Sequence, residues 1–151
     1  MNGSAHVQSL DALREFRLAL IKFREEGSQA MAAIELEIQR AMDWLTHDRI
    51  KYWQHQIRLR EDQVNEAKMA LHRCKLRTNP DGTSPACDDE KKLLAKAKYL
   101  LEEAYEKLEL TKKWIQVVTQ EISEYRGPAQ QMTQLIESGH FISARADSSK
   151  W

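Results

Sequence analysis

The sequence predicts an all-α protein: a long antiparallel helical hairpin, or coiled coil, with its turn at residues 78–84. Three observations predict it. Apolar residues recur at intervals of three and four along two long stretches, the signature of helices with one apolar stripe. Between those stretches stands "TNPDG", whose Pro80 and Gly82 cannot continue a helix. The chain has only five glycines and three prolines in 151 residues, too few for the many turns that a sheet would need.

The first helix is expected over about 10–77. Ser9 and Asp11 suit its start, and its stripe runs through Leu10, Leu13, Leu20, Met31, Ile34, Ile38, Ala41, Leu45, Trp53, Ile57, Val64, Ala67 and Leu71. Between Leu45 and Ile57 the spacing becomes four, four and four, through Arg49 and Trp53. That stutter should locally unwind a supercoil, with Trp44, Tyr52 and Trp53 filling the widened seam. Gly27 is a second soft point, costing about 1 kcal/mol against alanine in mid-helix and allowing a bend. A break near Thr46 would turn the hairpin into a three-helix bundle, the alternative architecture.

The second helix is expected over about 85–126. Ser84 suits the N-cap, Pro85 the first helical position, and Asp88, Asp89 and Glu90 the positive end of the helix dipole. Its seam alternates three and four through Leu94, Ala97, Leu101, Ala104, Leu108, Thr111, Ile115, Val118, Ile122 and Tyr125. Glu103 with Lys107 and Glu109 with Lys113 are expected surface pairs. "RGP" at 126–128 should end the helix, leaving a short third one at 128–138. Residues 1–138 then form a single elongated helical domain, and 139–151, which lack a helical period, a disordered tail.

Antiparallel helices of equal rise pair residues whose numbers add to a constant. A constant of 161 sets Ala67 against Leu94, Val64 against Ala97, Ile57 against Ala104 and Trp53 against Leu108, so large side chains meet small ones. Arg60 falls opposite Leu101, where its aliphatic stem can lie along the seam. Cys74 and Cys87 obey the same register in the last layer before the turn. Three readings are open for them: two small seam thiols in a reducing compartment, a disulfide, or a metal site. "HRC" supplies only His72 and Cys74 towards the four ligands of a closed zinc site, so no metal is expected.

The remaining chemistry-bearing patterns are sparse. No phosphate-binding glycine loop, GxSxG, HExxH or paired CxxC occurs, so no catalytic or cofactor-binding residue is assigned and no enzyme is expected. Glu137 with His140 is a single ExxH, half of what a di-iron bundle requires. Asp43, His47 and His55 share one helix face, as solvated surface residues often do. Lys and Arg equal Asp and Glu at 23 each, yet residues 49–77 hold 8 basic and 3 acidic side chains. The mixed segment "RIKYWQHQIRLR" could stack on bases, but Trp53 belongs to the seam and an acidic helix runs alongside, so nucleic acid is not an expected partner. No apolar run reaches the roughly 18 residues of a membrane span and the start is unlike a signal peptide, so a cytoplasmic protein with no membrane partner is expected.

Two stretches, "WLTHDRIKYWQHQIRLREDQVNEAKMALHRC" and "KAKYLLEEAYEKLELTKKWI", resemble coiled-coil hairpin proteins of unassigned function associated with bacterial genomes; the likeness covers residues 10–137 and implies no activity. The aromatic spacing from Trp44 to Trp53 is similar to WXG-type secreted helical hairpins. Trp44-Leu45-Thr46 lacks their glycine, and the YxxxD/E matches at Tyr99 with Glu103 and Tyr105 with Glu109 lie inside the second helix.

Residues 88–126 of the second helix can cover only about residues 35–73 of the first. Leu13, Phe16, Leu20, Phe23 and Met31, with Met132 and Leu135 from the short third helix, are left as an apolar stripe that should find a partner. The expected function is therefore a non-catalytic coiled-coil interaction or adaptor subunit, a homodimer or a protein docking on another helical protein. A WXG-like secreted hairpin and, behind it, a metal-binding bundle are the alternatives.

Overall fold

A computed structural model describes the backbone of residues 3–147 and the side chains of residues 8–138. Among the described residues there is no strand. Helix α1 runs Gly3–Asp43, a π-helical turn occupies Trp44–Arg49, α2 runs Ile50–Lys75, and α3 runs Asp88–Asp147. The first three follow one another without an intervening loop and pack against α3 as a helical hairpin. Contacts divide the chain into two compact units, Ala41–Val118 and the residues on either side of that span.

In Ala41–Val118 the turn is built by its own side chains. Gly82 N–H donates to the Asn79 carbonyl at 2.9 Å and Asn79 N–H to the Thr83 carbonyl at 2.9 Å. Asp81 accepts from both the Thr83 hydroxyl, at 2.7 Å, and the Thr83 N–H, at 3.1 Å. Those two bonds hold the Asp81 carboxyl below the usual carboxylate range. Gly82 has φ +80°, the left-handed conformation open to a residue without Cβ.

Helix α3 starts at Asp88, three residues later than the Ser84–Pro85 signal suggested. The reason is Cys87, whose φ of 54° cannot lie within a right-handed helix; its carbonyl accepts the Lys91 N–H at 3.0 Å, the first helical bond. Cys74 and Cys87 form a disulfide with a Cα–Cα distance of 6.0 Å, instead of two free thiols. Ile57, Val64, Ala104 and Thr111 are also buried, further along the seam. Arg60 enters the seam as expected but does more than lay down its stem. Its Nη1 donates to the Leu100 carbonyl and, at 3.2 Å, to Glu103 Oε2. Glu103 thus pairs across the hairpin, and Glu109 pairs with Lys112 at 2.7 Å, where Lys107 and Lys113 were the expected partners. Tyr105 donates its hydroxyl to Glu61 at 2.6 Å, which raises the tyrosine pKa because the bond is lost on ionisation.

The stutter becomes the π-helical turn. A wider turn absorbs a residue beyond the α-helical count and leaves carbonyls short of backbone donors. Thr46 Oγ1 donates to the Met42 carbonyl at 2.7 Å, and His47 Nδ1 lies 3.3 Å from the Asp43 carbonyl. Arg49 places its guanidinium 5.4, 5.0 and 5.5 Å from the rings of Trp44, Tyr52 and Trp53. Both neighbouring residues, Asp43 and Ile50, keep right-handed helical angles, so the chain does not fold back into a third helix here.

In the other unit α3 passes through Gly127 and Pro128, where an end was expected. A residue before proline usually avoids helical angles because its Cβ meets the proline ring; Gly127 has no Cβ. Pro128 itself is exposed, and Ala129, Thr133 and Ile136 continue the seam beyond it. The backbone of 139–147 is helical too, rather than a tail, while 148–151 lie outside the described residues. Facing α3, the inward residues of α1 are Ile21, Arg24, Met31, Glu35 and Ile38. Arg126 pairs with Glu35 at 2.6 Å, in the 161 register. Gly27 lies inside the continuous α1 and marks a close approach, since a Cβ there would lie 3.2 Å from the Ile136 methyl.

Candidate interaction surface

Each residue of an α-helix lies 100° round from the one before it. In an antiparallel pair, the residues that precede seam positions on the two helices come to the same side of the hairpin, and those that follow come to the other. Contacts within Ala41–Val118 obey this rule. Tyr105 and Glu61 follow seam residues Ala104 and Arg60 and touch each other. Gln63, Glu66, Ala70 and Arg73 precede seam residues and line one groove with Leu93 and Lys96, which also do.

The two sides differ in chemistry. In Ala41–Val118 the preceding positions include Trp44, Tyr52 and Leu59 on one arm and Leu110, Trp114 and Val117 on α3, all exposed. Trp44 and Trp114 each leave 54% of their surface open. The following positions include Gln54, Arg58, Asn65 and Lys68, with Glu102, Glu109, Lys112 and Gln116 on α3. Most of the exposed aromatic and aliphatic residues stand on the preceding side, which they share with Gln63, Glu66, Arg73 and Lys96, and the following side is polar apart from Tyr105.

The second unit, taken by itself, repeats the pattern. Leu20, Phe23 and Ile34 precede Ile21, Arg24 and Glu35, while Met132 and Leu135 precede Thr133 and Ile136. Phe23 is 64% and Leu135 73% exposed. Lys22, Glu25 and Gln39 follow seam residues, as do Ser123, Arg126, Gln130 and Gln134. A cleft of about 480 Å³ lies among Met31, Ala32, Tyr125, Ala129 and Ile136.

Of the residues expected at a partner interface, Leu13, Phe16, Leu20, Phe23, Met132 and Leu135 are exposed. Met31 is not among them; it is half-buried in the seam and lines the cleft, because α3 continues past Pro128 and covers it. Sequence reasoning missed Ile34, Trp44, Tyr52, Leu110, Trp114 and Val117 as surface residues. The signal was present: each stands one position before a seam residue.

Among the described residues, the grouping of possible metal ligands is Cys74, Cys87 and Glu90, with ligand atoms within 4.8 Å of one another. Asp43, His47 and His55 do not converge in that way, and His140 lies outside the described side chains. No described helix is long and apolar enough to cross a membrane. No family model, no curated protein and no solved structure matches the chain.

Proposed function

We propose that this protein is a non-catalytic helical interaction module whose apolar side is buried against a second copy of itself. The observation that carries this reading is that most exposed aromatic and aliphatic residues of both arms lie on one side in each unit, while the opposite side is polar apart from Tyr105 and Leu36. A side of that kind is covered by more helix, and self-association of two hairpins supplies two such faces at once. Docking on the helices of a different protein uses the same residues, and makes the chain an adaptor. Coiled-coil packing describes the hairpin seam within this reading, and the uncovered residues lie beside that seam.

A cytoplasmic setting is one reading of the compartment, whereas the Cys74–Cys87 disulfide favours an oxidising one. That disulfide supports a second reading, an exported helical hairpin similar to WXG-type proteins. Cell fractionation separates the two, since an exported hairpin accumulates in the culture medium.

Replacing Leu20 and Phe23 together by aspartate tests the interface. Both side chains are exposed, so helicity by circular dichroism should stay unchanged while the molar mass falls from dimer to monomer on a sizing column with light scattering. A dimer of unchanged mass would remove these residues from the interface.

A further inference from the structure

We propose that reduction of the Cys74–Cys87 disulfide uncovers a zinc site formed by both cysteines and Glu90. The three residues come from different parts of the fold. Cys74 is in the last turn of α2, Cys87 immediately precedes α3, and Glu90 is in the first turn of α3. Both sulfurs are buried and Glu90 is half-buried, with ligand atoms within 4.8 Å of one another. The hairpin closure brings the cysteines to a Cα–Cα distance of 6.0 Å, and the left-handed angle of Cys87 directs its side chain back towards Cys74.

The step balances as follows. A dithiol reductant supplies two electrons and two protons, breaks the S–S bond to leave two thiols, and closes into its own disulfide. A zinc ion then displaces both thiol protons to water and forms two Zn–S bonds of about 2.3 Å, which needs the sulfurs to part to about 3.8 Å. The Glu90 carboxylate gives the third bond and a water the fourth. Thiolate ligands favour zinc over magnesium or calcium, and Cys87 lies at the positive end of the α3 dipole, which favours its thiolate. The chain then holds the same closure in two forms, a covalent one when oxidised and a metal-linked one when reduced.

The test is zinc binding by the full chain, oxidised and after reduction, with metal stoichiometry from native mass spectrometry and helicity from circular dichroism. The reduced chain should bind one zinc per chain and the oxidised chain none. Cobalt(II) in place of zinc should show the charge-transfer absorption of thiolate ligation. Glu90→Gln, which leaves both thiols in place, should weaken zinc binding about tenfold or more, and Cys74→Ser with Cys87→Ser should abolish it. Reduced protein that binds no more zinc than the double serine variant, or Glu90→Gln binding as tightly as the parent, would overturn the proposal.

Discussion

The two units are built on the same three-and-four repeat and bury their seams to different degrees. All buried described side chains, Ile57, Val64, Cys74, Cys87, Ala104 and Thr111, belong to Ala41–Val118. In the other unit no described side chain is buried, and its α1 seam carries Arg24 and Glu35. The difference lies in what the seam is made of. Ala104, with no accessible surface, lets the helices approach, and the disulfide, Arg60 and Tyr105–Glu61 tie them across. The outer unit has Arg126–Glu35 and the Gly27–Ile136 approach, and its largest apolar residues point away from the seam. One stretch of a helical pair can thus close a tight seam while another, on the same repeat, leaves its seam half-open.

The largest expected effect separates these stretches directly. Ala104→Asp places an unpaired charge in the tightest layer and should cost at least about 3 kcal/mol in urea unfolding. Ile38→Asp, in a half-buried seam position, should cost less than about 2 kcal/mol. Equal losses would erase the contrast. Reduction comes next. The disulfide closes a separation of 13 residues, and opening it in metal-free buffer should lower stability by about 3 kcal/mol. Native-state amide exchange should place the loss in Ala41–Val118 and leave Ile21–Ile38 protected as before.

The smallest effect concerns the turn. Asp81 has a folded pKa below its unfolded one, so its contribution is present above the ordinary carboxylate value and is lost as pH falls through the folded pKa. Asp81→Asn should flatten that acid limb of the stability curve. A limb unchanged by the substitution would assign it to other carboxylates.

These outcomes also measure how much of the molecule was legible in its sequence. The α3 seam was: every residue from Leu94 to Tyr125 assigned to it is buried or half-buried. The turn and the irregularity near Arg49 were also readable, the latter because a stutter is a count of residues that a π-turn can absorb. In α1 the reading was mixed: Met31 and Ile38 of the expected stripe face α3, and Leu13, Phe16, Leu20 and Phe23 are exposed as a partner stripe would be, but Ile34 is exposed and the inward Ile21, Arg24 and Glu35 were missed, because periodicity follows the most apolar stripe. The end of the second helix was misplaced because a proline signal was read without its preceding glycine. The grouping of Glu90 with both cysteines was missed: Glu90 stands one helical turn after Cys87, but its approach to Cys74 depends on the closed turn.

The proposed self-association uses the apolar side of the helical pair, and it can be tested within Ala41–Val118 alone. Trp114 and Gln116 lie on the same helix at opposite flanks of seam residue Ile115, both exposed. The decisive measurement is the molar mass, by light scattering, of Trp114→Asp and of Gln116→Asp against the parent of 17.6 kDa per chain. A one-sided interface predicts a parent and a Gln116→Asp protein of twice the chain mass and a monomeric Trp114→Asp. A monomeric parent, or two variants of equal mass, would contradict it.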